Sequence, residues 1–265
     1  MNYRINRIFS NNKKKLATFV TGGDPDLKTS SNIIQSLAEN GSDLIEIGMP
    51  FSDPMADGPT IQLSSNRAII NGINLDNIFD ICKKFRKINN NTPLILMGYY
   101  NVIFHYGVSK FVDACNLCGV DGLIVVDLQP EEDPQLLKEL KPKKIDLIRL
   151  ITPTTNKDRL KTILKNASGF LYYVTITGIT GQHSANIHEL QKSILEIRKQ
   201  TTLPILSGFG INNAKQVKEI CSFCDGVIVG SSIIKIIEEN YNTNKNKIIP
   251  LISKFIINLK TGIQQ

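Results

Sequence analysis

The sequence predicts an α/β protein folded as a (β/α)8 TIM barrel with additional terminal helices, in a single domain spanning residues 1–265. Short apolar runs alternate along the chain with longer segments of helical period, and no linker-like stretch interrupts this alternation. The length of 265 residues falls within the usual range for one such barrel. Eight strand–helix units in one chain favour closure into a barrel over an open doubly wound sheet.

The eight predicted strands are rich in Val, Ile and Leu, which is typical of parallel strands covered on both faces. They span residues 16–20, 43–48, 93–97, 122–126, 146–151, 170–175, 204–206 and 227–229. Two of the intervening segments carry a clear apolar stripe at helical spacing. These stripes are Ile187, Leu190, Ile194 and Ile197, and Ile248, Ile252, Phe255 and Leu259.

The composition is that of an ordinary globular protein, with 42% hydrophobic and 21% charged residues. No apolar run is long enough to span a membrane, and the N-terminus lacks the apolar core of a signal peptide. We therefore expect a cytoplasmic protein without a membrane partner. The net charge of +7 comes mostly from dispersed lysines, with Lys13-Lys14-Lys15 as the compact run. A solvated surface is favoured over a nucleic-acid footprint because no recognition motif accompanies the charge.

Four of the five cysteines form two CxxC pairs, Cys115/Cys118 and Cys221/Cys224. The pairs are far apart in sequence, unlike the closely spaced pairs of a zinc ribbon. Each pair lies where a helix ends and a buried strand begins. Small buried thiols that pack between helix and sheet are expected at such positions, rather than a metal site or a disulfide.

Glu46 lies inside the second predicted strand, between Ile45 and Ile47. Side chains alternate along a strand, so isoleucines that pack against helices would leave Glu46 pointing into the barrel, near the end that carries active sites. Burial there should raise the pKa of the carboxyl group, as a proton-transferring group requires. The alternative is a buried glutamate held by structural hydrogen bonds.

The segment after this strand contains three prolines and predicts a long, shaped loop over the barrel mouth. Asp53 and Asp57 lie in it. From residue type and spacing alone, each is equally well a catalytic group or a turn residue.

Three glycine-bearing turns follow the last three predicted strands: residues 177–181, 207–210 and 229–232. Backbone N–H groups at such turns, together with a helix N-terminus, form an anion site at the mouth of many barrels. Ser231 opens the last of these helices, where its hydroxyl would either cap the helix or bind phosphate. The three turns together predict a phosphate-binding site.

Residues 46–62, EIGMPFSDPMADGPTIQ, closely resemble the signature of tryptophan synthase α subunits. The resemblance extends over essentially the whole chain, including residues 19–25, FVTGGDP. It implies that Glu46 is the catalytic acid/base and that Asp57 binds the indole ring nitrogen. It also implies that Asp53 belongs to a loop that communicates with a partner subunit.

The implied reaction is the retro-aldol cleavage of indole-3-glycerol phosphate to indole and glyceraldehyde 3-phosphate. The family uses no metal or organic cofactor on this subunit. Pyridoxal phosphate is expected only on the β subunit, which is the partner in an α2β2 heterotetramer and receives the indole. The matching substrate-binding positions are Phe19, Tyr172, Thr180, Gly181, Phe209, Gly210, Gly230 and Ser231. Further aligned pocket positions are Ile61, Tyr99, Ile124 and Asp127.

The chain departs from the family pattern near Thr175 and Ile176, where the family commonly has Ser and sometimes Arg. This departure affects the expected closing of the following loop, not the chemistry. His183 in the same region is interpreted as incidental. Two alternatives remain at this point: another phosphate-binding barrel isomerase or lyase, and a mainly regulatory subunit.

Overall fold

The computed structural model describes residues 2–175, 183–208 and 210–264. Its strands are all parallel and form one sheet in the order β5-β4-β3-β2-β1-β9-β8-β7-β6. The strands are β1 (Lys15–Thr21), β2 (Leu44–Gly48), β3 (Leu94–Gly98), β4 (Gly122–Val125), β5 (Asp146–Leu147), β6 (Arg149–Ile151), β7 (Leu171–Val174), β8 (Ile205–Gly208) and β9 (Gly226–Val229).

The barrel closes through β5 and β6, which together correspond to the single predicted strand at 146–151. Only Ile148 separates them, and its N–H donates to the carbonyl of Leu123 on β4 at 2.9 Å. The first half, β5, pairs with β4, whereas the second half, β6, pairs with β7. One chain segment therefore changes neighbours halfway along its length and joins the two edges of the sheet, as the predicted eight-unit barrel requires.

Helices follow the strands around the outside of the barrel. They are α1 (Tyr3–Phe9), α2 (Leu27–Glu39), α3 (Pro59–Ile70), α4 (Leu75–Ile88), α5 (Tyr100–Tyr106), α6 (Val108–Leu117), α7 (Pro134–Lys143), α8 (Lys157–Leu164), α9 (His183–Arg198), α10 (Ala214–Cys221), α11 (Ser231–Asn240) and α12 (Ile248–Gln264). A short 3-10 helix, Lys245–Lys247, precedes α12. No helix within the described ranges is long and apolar enough to cross a membrane.

Two apolar cores result from the alternation of side chains along the strands. The inner core fills the barrel and includes Ala17, Leu44, Ile95 and Ile228, with Ile5 of α1 closing its lower end. The outer core lies between strands and helices and includes the stripe of α9 predicted from sequence. In α12, Ile248, Ile252 and Leu259 are buried as predicted, but Ile256 is fully buried while Phe255 is only partly so.

The cysteines and the lysine run take positions that bear on their predicted roles. All five cysteines are buried free thiols, as expected for packing residues between helix and sheet. The lysine run, however, is not wholly a solvated surface. Lys15 is only 3% exposed because it begins β1, and its ammonium group donates to the side chain of Asn11 at 2.6 Å.

Candidate active site

Glu46 is the most unusual group at the carboxyl end of the strands. It is completely buried on β2, and Ile45 and Ile47 on either side belong to the outer core, so its side chain points into the barrel as predicted. Neither carboxylate oxygen has a hydrogen-bond partner within the described part of the chain. The alternative of a glutamate satisfied by structural hydrogen bonds therefore has no support among these residues.

Burial determines the protonation state of this carboxyl group. An ionised carboxylate loses its hydration without compensation at such a position, which strongly favours the neutral acid. Desolvation raises the pKa of Glu46 to about 8. At neutral pH Glu46 is therefore mainly the carboxylic acid, which can donate a proton.

Asp57 lies in the loop between β2 and α3, and a tyrosine from the next strand holds it there. The hydroxyl of Tyr99, which follows β3, accepts a hydrogen bond from the N–H of Ala56 at 3.0 Å. The same hydroxyl lies close enough to the carboxylate of Asp57 for each group to shift the pKa of the other. Partial burial raises the pKa of Asp57, and the Tyr99 hydroxyl nearby opposes that rise. The ring of Phe51 packs on the ring of Tyr99, with centroids 5.3 Å apart, and helps to hold the tyrosine in place.

Asp53, the other carboxylate of this loop, has a different environment. It is exposed, and its carboxylate accepts a hydrogen bond from the neighbouring Ser52 hydroxyl at 2.5 Å. The structure thus separates two residues that residue type and spacing alone left equivalent, because of the two only Asp57 is partly buried and lies beside Tyr99.

Phe19 reaches the mouth from β1, where it lies in register with Glu46 on β2. Two glycines make room for its ring. A Cβ at Gly48 would lie 2.7 Å from the end of the Phe19 ring, and a Cβ at Gly230 would lie 3.1 Å from the ring's near side. Glycine at these positions therefore allows an aromatic ring to lie between β2 and the loop after β9.

Tyr172 on β7 faces the same space from the opposite wall of the barrel. Burial raises its pKa, and the negative charges of Glu46 and Asp57 raise it further. Both carboxylates are therefore close enough to act on the tyrosine electrostatically. A Cβ at Gly208 would lie 2.8 Å from the Tyr172 hydroxyl, so this glycine leaves space for the phenol.

The glycine turns after β8 and β9 lie side by side, because these two strands are paired. Gly230 is the N-cap of α11, and Ser231 is its first residue; no side-chain bond caps this helix end. Gly210, in the turn after β8, has a φ of +61°, a conformation that favours glycine. Because β8 and β9 are neighbours, Gly210, Gly230 and Ser231 follow adjacent strands at one side of the mouth, which we call the glycine corner; Gly230 also lies next to Phe19.

Three sequence-predicted substrate-binding residues, Thr180, Gly181 and Phe209, lie outside the described residues, as does the departure at Ile176. His183 begins α9. Of the other aligned positions, Ile124 is buried in the inner core and Ile61 is partly buried against the outer core. Asp127 is exposed and accepts a hydrogen bond from the N–H of Tyr100 at 2.7 Å.

Sequence reasoning missed the ion pair that supports this end of the barrel. Asp24, in the loop after β1, is buried, and both of its oxygens accept bonds from Arg67 of α3 at 2.8 Å. The Arg67 guanidinium also lies over the ring of Tyr241, 5.2 Å from its centroid. Asp24 stands in the quoted segment 19–25, but its partner is 43 residues away. No local pattern indicates such a contact.

Comparisons with a family model, with a related sequence and with solved structures all give the same family. A family model described as tryptophan synthase alpha chain matches residues 5–263. The tryptophan synthase alpha chain of Geotalea uraniireducens (strain Rf4) is 42% identical over 265 residues, covering 98% of each chain.

Solved structures resemble the chain over its full length. Tryptophan synthase subunit alpha from Legionella pneumophila str. Paris superposes with a TM-score of 0.92 at 35% identity, covering 100% of this chain and 99% of that one. Tryptophan synthase from M. tuberculosis, in an open form with BRD0059 bound, gives a TM-score of 0.87 at 27% identity, with 98% of each chain covered. The predicted TIM-barrel fold is thereby confirmed.

Proposed function

The chain belongs to the tryptophan synthase alpha chain family, and we propose that Glu46 and Asp57 are the residues with which it performs the family's reaction. It is a carbon–carbon lyase that cleaves indole-3-glycerol phosphate to indole and glyceraldehyde 3-phosphate. The indole passes to a β subunit for tryptophan synthesis. One observation supports the proposal: β2 carries a fully buried carboxyl group with a raised pKa and without a hydrogen-bond partner among the residues that the structure describes.

The bond between indole C3 and the side chain breaks readily only after C3 is protonated, because the aromatic ring otherwise offers no place for the electron pair. Glu46, held as the neutral acid, delivers this proton. The resulting carboxylate then accepts the proton of the side-chain hydroxyl as the C–C bond breaks and the aldehyde forms. The proton count on Glu46 is restored at the end of the cycle.

Asp57 accepts the hydrogen bond of the indole N–H and stabilises the positive charge that the ring gains on protonation. Tyr99 supports this role in two ways. Its hydroxyl lowers the pKa of the carboxylate, which favours the ionised form, and accepts a hydrogen bond from the Ala56 N–H, which fixes the loop. Tyr99 is therefore a positioning residue for Asp57.

The glycine corner holds the substrate phosphate. Gly210, Gly230 and Ser231 supply backbone N–H groups and a hydroxyl, together with Thr180 and Gly181, while Phe19, Tyr172 and Phe209 border the indole and its side chain. Phosphate binding at a fixed distance from β2 places the reacting carbon beside Glu46. The binding free energy of the phosphate is thus used to orient the bond that breaks.

The chain pairs with tryptophan synthase β subunits, in an α2β2 heterotetramer, and pyridoxal phosphate belongs to the β chain. We propose that the β-docking surface lies at the mouth end, where Met55, two residues after Asp53, is 82% exposed and Phe104 of α5 is 65% exposed. Indole released at the mouth would leave toward the partner. We further propose a cytoplasmic location and a single catalytic domain over residues 1–265.

The role of Glu46 is tested with Glu46→Gln, which keeps the shape of the side chain but cannot transfer a proton. We expect kcat for cleavage to fall by about 10²–10⁴-fold, the usual contribution of a general acid–base group. Indole release is measured together with the affinity for glycerol 3-phosphate, which should not change. Cleavage at the unmodified rate would remove Glu46 from the mechanism and leave the regulatory-subunit alternative open.

Asp57 is tested with Asp57→Asn, and Asp53→Asn on the same loop is the matched control. Loss of the charge at Asp57 should lower kcat by about 10²-fold or more, because the protonated ring loses its counter-charge. The affinity for glycerol 3-phosphate should be retained. Asp53→Asn should cleave at the normal rate in the absence of the β subunit. Equal rates for the two variants would contradict the assignment.

A further inference from the structure

The lysine run at 13–15 borders a cleft at the end of the barrel opposite the mouth. The cleft has a volume of about 330 Å³ and is lined by Phe9, Asn11, Asn12, Lys13, Lys14, Arg198, Thr202, Pro204 and Asp225. It lies where β1, β8 and β9 begin, whereas the catalytic groups lie where strands end. Its volume falls in the lower range of small-ligand sites.

The backbone before β1 is folded so that Lys13 and Lys14 line this cleft, whereas Lys15 does not. The side chain of Asn11 accepts the N–H of Lys13 at 3.2 Å and the ammonium of Lys15 at 2.6 Å. Lys15 is thereby turned into the protein. Lys14 donates to the carbonyl of Cys224 at 2.6 Å, which holds its ammonium group at the cleft wall. The position of the lysines is thus set by specific bonds, not by solvent alone.

Positive charge in the cleft exceeds negative charge. Its lining contains three cationic side chains, Lys13, Lys14 and Arg198, and one carboxylate, Asp225. That carboxylate is already used, because it forms an ion pair with Arg198 and accepts the N–H of Ile205 at 2.7 Å. Among the described residues, Lys13 and Lys14 form no ion pair with a carboxylate.

Burial is the main cause that lowers the pKa of Lys15; Asp43 opposes it, and the positive charges of Lys260 and Lys13 add smaller lowering effects. An anion bound between Lys13 and Lys14 would reduce the repulsion between Lys13 and Lys15. Asn12 and Thr202 supply neutral polar groups at the same wall, and Phe9 and Pro204 limit the cleft with apolar surface.

We propose that this cleft is a second anion site, which binds a multiply charged phosphate compound at the end of the barrel remote from catalysis. A phosphate dianion or pyrophosphate matches two ammonium groups that form no ion pair with a carboxylate of the described residues and are flanked by uncharged hydrogen-bonding groups. The shared chemistry is the phosphate group, whether free or part of a nucleotide. The site is independent of the proposed roles of Glu46 and Asp57.

The test is isothermal titration of the full-length chain with pyrophosphate and, separately, with ADP. We expect two sites per chain, one at the mouth of the barrel and one in the cleft lined by Lys13 and Lys14, which we call the basal cleft. The double variant Lys13→Ala/Lys14→Ala should lose one site, or weaken it by at least about ten-fold. Lys84→Ala/Lys87→Ala, which removes the same charge from exposed positions on α4, should keep both.

The two ligands distinguish the sources of the phosphate. Equal affinity at the basal site means that the phosphate group alone is recognised, and tighter ADP binding means that a nucleotide is preferred. Both support the proposal. Unchanged stoichiometry and affinity in Lys13→Ala/Lys14→Ala would overturn it. Tighter, lysine-dependent binding of a single-stranded oligonucleotide than of pyrophosphate would overturn the small-molecule assignment. Unaltered indole release by the double variant verifies that the barrel is folded.

Discussion

At the scale of single residues, Glu46 shows how a fold tolerates a carboxyl group in an apolar interior. The inner core around it offers no counter-charge and no described hydrogen-bond donor, so the charged form is strongly disfavoured. The neutral acid, in contrast, is small and fits the space between Phe19 and Ile95 on the neighbouring strands. The desolvation that suits Glu46 to the proposed proton transfer also means that ionisation of this carboxyl group lowers the free energy of unfolding.

The unfavourable ionisation of Glu46 predicts that the free energy of unfolding depends on pH. The pKa of Glu46 is raised from 4.5 in the unfolded chain to about 8 in the folded one, so the folded state holds the proton more tightly. Its contribution to stability is complete below pH 4.5 and is lost as pH rises toward 8. The loss is on the order of 3–5 kcal/mol in the unfolding free energy.

Urea denaturation of the unmodified chain and of Glu46→Gln across this range measures the effect. Only the difference between the two proteins reports Glu46, since other titrating groups are common to both. The difference should change with pH in favour of the glutamine variant as pH rises. A constant difference would show that Glu46 ionises at an ordinary pKa in the folded protein.

At the scale of elements, the loop that carries Asp57 is held by Tyr99 and by helix α3, and α3 is itself held by the contacts of Arg67. Tyr99 fixes its centre, and α3, which begins at Pro59 just after Asp57, fixes its end. Arg67 on α3 binds Asp24 after β1 and packs on Tyr241 just beyond α11. The helix behind Asp57 and the helix that begins with Ser231 are therefore connected through one guanidinium group.

Arg67→Met should destabilise the chain by about 3 kcal/mol, because it leaves the carboxylate of Asp24 buried without a partner. The control is Asp24→Asn/Arg67→Met, in which no unpaired charge remains. This double variant should recover part of the loss. Unfolding free energies from denaturant titration measure both. A double variant less stable than Arg67→Met would show that the ion pair contributes little beyond packing.

Most elements could be predicted from the sequence, because each has a local cause. Continuous Val, Ile and Leu runs gave the strands to within a few residues, and the apolar stripe of α9 is buried as predicted. The division of the fifth predicted strand into β5 and β6 could not be predicted. It arises because Ile148 marks the change from pairing with β4 to pairing with β7, which depends on barrel closure.

At the scale of the whole molecule, the barrel separates its surfaces by function. The mouth end carries Glu46, Asp57, the glycine corner and the exposed Met55 and Phe104. The opposite end carries the basal cleft. Because the interior between them is filled by apolar side chains, the two ends can bind different partners without sharing a cavity.

The β-docking surface is tested by titrating β subunit against the chain while indole release is measured. We expect Met55→Ala/Phe104→Ala to need at least about ten-fold more β subunit for half-maximal effect, since it removes exposed apolar anchors. Leu117→Ala, at the far end of α6, is the matched control because Leu117 is also 80% exposed. A similar shift in both variants would place the docking surface elsewhere.

The sequence by itself determined the barrel, the family, the buried position of Glu46 and the expectation of a phosphate site. These follow from periodicity and from one long contiguous motif, both of which are written in neighbouring residues. Residue type and spacing left Asp57 and Asp53 equivalent and only the family motif distinguished them; the tertiary structure adds a physical difference, because Tyr99, which lies beside Asp57, comes from the end of another strand. The same holds for the Asp24–Arg67 pair and for the basal cleft, where residues distant in sequence meet. Local sequence sets the conformation of the backbone, whereas closure of the barrel decides which side chains share an electrostatic environment.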